Sequence, residues 1–326
     1  MRRLSLPASP DKGSARPPMA GAARRHYGSG MKKRTAPTRP GHATALLAAF
    51  ALAAGALSAM PLAQAEEGGA AALQARFASL QPALQHSAFG RPLVLEANDS
   101  EEAPRGDVYA LLDHPIGQVV EALRSPSAWC EVMLLQTNVK RCAVEGGKVQ
   151  VGMTRKYTDT PDTATTMGFQ WHLRDASPQH LDVSLSAPEG LLGTSDYRLS
   201  FEAVPAGEGR SFVHLSYAYR MGTAARVATS MYLSTSGKDK VGFSVAGRDE
   251  QGRPRYVGGM RGVAERNTMR TFLAIDSTVA TQDTPPAQRL ARRQRTFHDS
   301  LERYPAQLHE TELGEYLALK KRDAVG

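Results

Sequence analysis

The chain has 326 residues, 41% of them hydrophobic, and a formal net charge of +8, enough for one ordinary domain with extensions. The charge is uneven: residues 1–65 hold 10 Lys/Arg and one Asp, leaving 30 Lys/Arg against 31 Asp/Glu beyond them, a net of −1. The basic pI of about 9.6 therefore belongs to the N-terminus, and the balanced remainder excludes the global basicity used to bind nucleic acid.

Residues 31–65 have the three parts of a secretory signal. Lys32, Lys33, Arg34 and Arg39 form the basic start, residues 43–60 an apolar run, and Ala63 and Ala65 the small-residue cleavage pattern, making Glu66 the first mature residue. The run is also about long enough to span a bilayer, but the cleavage site follows it directly, so a removed leader and no lasting transmembrane anchor is the expectation. Residues 1–30 have no periodicity and are read as a disordered extension or as lying upstream of the true start at Met31. The expected location is the periplasm.

Beyond the leader, Leu73, Phe77, Leu80 and Leu84 fall at helical spacing within a helical or irregular extension over 66–106. Residues 107–113 read as a strand, ended by His114 and Pro115. Ile116, Val119, Val120 and Leu123 make one helical stripe, and a second short helix carries Trp129 and Val132. Period-2 alternation then marks successive strands, with Gly146-Gly147 as a hairpin signal. One face carries Met153, Arg155 and Tyr157, then Phe169 and Trp171, then Tyr197 and Phe201, then Tyr217, Tyr219 and Met221. Short turns make the sheet antiparallel, and strict alternation implies one buried and one wet face. A long helix over 257–282 follows a 35-residue insertion at 222–256, and Pro285-Pro286 ends it. A further helical segment over 283–326 carries Arg289, Arg292, Arg293 and Arg295, read as a solvated face.

Cys130 and Cys142 are the only cysteines. In an oxidising compartment they are a natural disulfide pair; two separate buried thiols are the alternative. No spacing of His, Cys or carboxylates points to a metal, and no P-loop, G-x-G-x-x-G, H-E-x-x-H or G-x-S-x-G pattern occurs, so no cofactor is expected. Asp113-His114, at the end of the first strand, could make an acid–base pair but reads as a solvated turn.

The order of strand, two short helices, six strands and long helix resembles the helix-grip fold of the START-like (SRPBCC) superfamily, with lipid-transfer domains, polyketide cyclases and plant ligand binders among its members. The match is best over 114–133, HPIGQVVEALRSPSAWCEVM, and over GGMRGVAERNTMRTFLAID from Gly258. The chain resembles an exported proteobacterial member of that superfamily. The resemblance implies an α+β helix-grip domain over 107–282: a curved seven-stranded antiparallel sheet around a long C-terminal helix, with extra helices after it. It further implies a cavity between sheet and helix for a hydrophobic or amphipathic molecule, a lipid among them. Met153, Arg155, Tyr157, Phe169, Trp171, Tyr197, Phe201, Tyr217, Tyr219 and Met221 are the candidate lining, with Arg155 available to orient an acidic end unless it lies exposed at the strand end. The alternatives are a cyclase- or hydrolase-like enzyme using that cavity, or a partner-binding protein with a filled core. The insertion is expected to border the cavity mouth.

Overall fold

The computed structural model describes residues 69–207, 209–235 and 237–324. The leader and its cleavage pair, Ala65 and Glu66, lie outside them. Helix α1 (Gly69–Gln85) leads into strands β1 (Leu93–Ala97) and β2 (Arg105–Leu112). Helices α2 (Ile116–Leu123) and α3 (Pro126–Met133) follow, the latter started by Ser125, whose hydroxyl accepts from the Ala128 N–H, with Pro126 in the first turn. Six strands then run in sequence: β3 (Val139–Glu145), β4 (Lys148–Met153), β5 (Thr165–Ser177), β6 (His180–Glu189), β7 (Thr194–Pro205) and β8 (Ser211–Met221). Gly146 and Gly147, both at positive φ, make the β3–β4 turn.

The sheet order is β1-β2-β8-β7-β6-β5-β4-β3, antiparallel throughout. It has eight strands where the sequence reading gave seven. The additional one, β1, belongs to the segment read as a helical or irregular extension: five residues are too short to show a period.

Helix α5 (Gly259–Ala280) lies in the concave face and crosses β2 at Gly106, where an added Cβ would stand 2.3 Å from Thr268 Oγ1. Sheet, α2, α3 and α5 share one core, with Trp129 and Phe201 edge-to-face at 6.3 Å. The fold is α+β, a curved antiparallel sheet gripping a long helix.

The outer face is covered over β7, β8 and β1 and stays wet over β3 to β5, where Arg141, Lys148, Gln170 and His172 are exposed. Helix α1 lays Leu73, Phe77, Leu80 and Leu84 on Val204 and Phe212, with Phe77 stacked on Phe212 at 4.6 Å. At the other end of the chain, helices α6 (Pro286–Leu301), α7 (Pro305–Leu308) and α8 (Leu313–Asp323) bring Phe297, Leu301, Leu308 and Tyr316 into the main core. Arg293, read from the sequence as solvated, is 2% exposed: it pairs with Glu131 of α3 and donates to Thr281 Oγ1. Among the described residues no helix is long and apolar enough to cross a membrane.

Candidate functional site

The interior divides into two parts. Around α2 and α3 it is packed solid, and Phe201, fully buried there beside Trp129, is a core residue rather than a cavity wall. At the other end of the sheet, Tyr197 of β7 and Tyr217 and Tyr219 of β8 meet under the first half of α5. Ring centroids are 5.1 Å apart for Tyr197–Tyr219, 5.8 Å for Tyr217–Tyr219 and 6.4 Å for Tyr197–Tyr217. Phe169 stands edge-on to Tyr197 at 6.3 Å, and Met221 and Met260 close the cluster. Alternation puts these rings on one face, and the register Arg198↔Ala218, Leu199↔Tyr217 continues to set Tyr197 opposite Tyr219, just before the pairing shifts toward Ser195.

Tyr217 is enclosed by protein, which pushes its phenol well above the ordinary range, yet the side chain is only partly buried by area. Tyr197 and Trp171 are likewise partly accessible although they pack against the core cluster. Burial raises the phenols of Tyr197 and Tyr219 too, so all three stay neutral hydroxyls at physiological pH. Trp171 adds a donor: its Nε1–H is sealed from solvent and has no hydrogen-bond partner. Trp129, by contrast, donates to the Leu123 carbonyl at 2.9 Å.

Not every expected lining residue arrives here. Strand β4 ends at Met153, which is half-buried, and the chain turns as the Thr154 N–H bonds the Asn138 carbonyl. The alternation therefore stops before Arg155, which is exposed and does not face the interior. Tyr157 also lies beyond the strand, its carbonyl accepting from Lys140 Nζ at 2.7 Å. The disulfide Cys130–Cys142 is formed, with Cα atoms 5.4 Å apart, and ties α3 to β3.

The insertion starts as helix α4 (Thr223–Ser234), whose Ala225 packs on Tyr219 and Met221. The chain then crosses α5. Glu265 Oε2 accepts from the Phe243 and Ser244 N–H groups at 2.5 and 2.9 Å, and Arg266 Nη1 donates to the Val241 carbonyl at 3.1 Å. Gly242 sits against Gly262, where an added Cβ would come within 2.9 Å of the Gly262 Cα. A two-stranded hairpin, β9 (Val245–Arg248) with β10 (Pro254–Tyr256), returns the chain to α5. The insertion thus borders the tyrosine cluster and covers the charged side of α5.

Sequence reasoning missed Arg266, Asn267 and Arg270 because charges on one face of a helix normally mark solvent. The insertion itself was the available signal, since 35 residues had to lie over something.

The histidine–carboxylate contacts lie elsewhere. His214 bonds Asp107 at 2.9 Å on the outer face, His180 bonds Asp175 at 3.1 Å, and His309 bonds Glu302 at 3.0 Å. Asp113 of the adjacent Asp113-His114 pair is exposed. Among the described residues no cluster of His, Cys, Asp and Glu could hold a metal ion.

No protein-family model matches the chain, and no curated protein matches it. Among solved structures, norcoclaurine synthase from Thalictrum flavum is similar over 45% of this chain and 87% of its own, at 15% identity and a TM-score of 0.30. A protein from Arthrobacter aurescens is similar over 57% and 91%, at 14% identity and 0.29. The di-domain ARO/CYC BexL is similar over 41% and 42%, at 14% identity and 0.29. Identities and scores this low transfer neither substrate nor residue roles to the chain.

Proposed function

We propose that the protein binds a hydrophobic or amphipathic small molecule between the tyrosine-bearing end of the sheet and α5, without covalent chemistry, and that it does so in the periplasm after its leader is removed. One observation carries the reading: Tyr217 lies deep in the fold and still keeps accessible surface, among rings that offer apolar area and neutral hydroxyls. A mostly apolar recess with a few polar groups is the usual form of a small-molecule site. The unpartnered Trp171 Nε1–H fits a ligand that brings an acceptor. The tripartite leader and the disulfide support the periplasm. A cyclase- or hydrolase-like role would use acid–base groups on this surface, and the histidine–carboxylate contacts described above lie away from it.

Partner binding is favoured by a separate observation. Val227, Met231 and Tyr232 of α4 and Leu192 beside it are all exposed. Native mass spectrometry of protein purified from its own host separates the two readings. Binding predicts a bound small molecule of discrete mass, released by denaturation. Protein that carries no such mass, and takes up no long-chain alcohol or acid when offered one, sinks it. N-terminal sequencing of the same sample is expected to begin at or near Glu66; a retained Met1 or Met31 would defeat the periplasmic proposal.

A further inference from the structure

Arg266 is 7% exposed and among the described residues makes one hydrogen bond, to the Val241 carbonyl, although a guanidinium carries five N–H donors. Among the described residues no carboxylate lies within ion-pair distance of it. The nearby acids are committed: Glu265 accepts from two backbone N–H groups and from Arg261 at 3.1 Å, and Glu310 pairs with Arg270 at 2.8 Å while accepting from Thr137. Arg270, one turn further along α5, adds a second cation, and its Nε is sealed without a partner. Burial and the charge of Arg270 push the Arg266 guanidinium below its ordinary range, the sign of an insufficiently compensated cation. A buried charge without a counter-ion is costly and is rarely kept without a use.

The same arginine belongs to the tyrosine end of the site. Its charge acts on the Tyr219 phenol, which lies beside Asn267, and it feels Tyr232 of α4. Arg266 therefore stands where the aromatic surface, α4 and the crossing segment of the insertion meet.

We infer that the ligand is an amphiphile with an anionic head, carboxylate or phosphate, whose oxygens take the free N–H groups of Arg266 while its apolar body lies on Tyr197, Tyr217 and Phe169. This inference rests on the binding function proposed above and assigns the ligand's chemical class. A planar guanidinium matches either head group through two parallel N–H···O bonds. It also replaces Arg155 as the group that orients an acidic end.

The test is isothermal titration of the mature chain with dodecanoate, dodecyl phosphate and dodecanol below their micellar concentrations, repeated on Arg266→Met and Arg266→Lys. At least one anion is expected to bind about tenfold or more tightly than the alcohol, as a charge-assisted contact implies. Arg266→Met should bring that anion to the alcohol's affinity for the same variant, with Arg266→Lys between. The tighter of the two anions names the head group. Equal affinity of the anions and dodecanol for the wild-type chain overturns the inference while leaving the binding function standing, and so does an anion preference that survives Arg266→Met. If none of the three binds, both fail. Should Arg266→Met not fold, the wild-type comparison of anion with alcohol decides alone.

Discussion

Lys140 of β3 and Asp323 of α8 form an ion pair, Nζ to Oδ2 at 3.1 Å, with the lysine side chain fully enclosed and the aspartate 4% exposed. The pair joins the last helix to the edge of the sheet, and Lys140 Nζ also donates to the Thr137 and Tyr157 carbonyls. Removing one partner strands a buried charge, so Asp323→Asn is predicted to cost about 3 kcal/mol in urea unfolding. Asp323→Asn with Lys140→Met should recover most of that loss. A single variant as stable as the wild type would show that α8 is not held this way.

Lys320, one turn before Asp323, gives the protein a predicted pH profile. Burial pushes its ammonium down from 10.5 to about 7. Between those values the unfolded chain holds the proton and the folded chain does not, so stability rises with pH across the window, by a few kcal/mol to order of magnitude. The buried phenols of Tyr197, Tyr217, Tyr219 and Tyr316 act oppositely. Each is raised, so above about pH 10 the unfolded chain loses protons that the folded chain keeps, and stability falls. Urea titrations from pH 6 to 11 should show a maximum near pH 9–10, roughly where the two limbs meet. Lys320→Met should flatten the lower limb. It also leaves the Gln136 and Val139 carbonyls without their donor, which lowers the curve without restoring its slope. An unchanged lower limb in the variant would rule out Lys320 as its source.

The disulfide closes a short loop, its cysteines 12 residues apart in sequence. Losing it is predicted to cost about 2–4 kcal/mol, read as a fall in Tm of several degrees for Cys130→Ala/Cys142→Ala against the oxidised wild type. Equal Tm values would mean that the hydrophobic contacts between α3 and the sheet hold the helix without it.

Gly106 marks where α5 presses on β2. A methyl there meets Thr268 Oγ1 at 2.3 Å and the Ala264 carbonyl at 3.3 Å. Gly106→Ala should destabilise by about 1–3 kcal/mol, as overpacking does, and Thr268→Ala in the same chain should return part of the loss. Full additivity of the two changes would show that the helix does not approach the strand this closely.

The sheet was legible from residues 107 to 221 because alternation with a buried inner face leaves a period-2 trace, and the Gly146-Gly147 hairpin signal falls between β3 and β4. Strand β1 was not, being too short to show a period. Helix α1 covering the outer face was invisible for another reason: Tyr109, Phe212 and His214 alternate correctly, but alternation does not reveal what lies over a face. The tyrosine cluster could be read because its residues share one register. Arg155 was misassigned because a strand end has no sequence marker, and Arg266 was missed because what buries it is an irregular segment crossing the helix.

The most direct test of a binding site between sheet and helix uses the two tryptophans. Their indole N–H groups give two resolved signals in a ¹⁵N-labelled spectrum. Trp129 is fully buried in the packed half with its N–H on the Leu123 carbonyl, whereas Trp171 is partly accessible and its N–H has no partner. Titration with dodecanoate or dodecanol is predicted to shift the Trp171 signal to saturation while the Trp129 signal stays within a linewidth of its place. A Trp171 signal unmoved at ligand saturation, or a response confined to the amides of α1 and the outer face, would contradict a site between the sheet and α5.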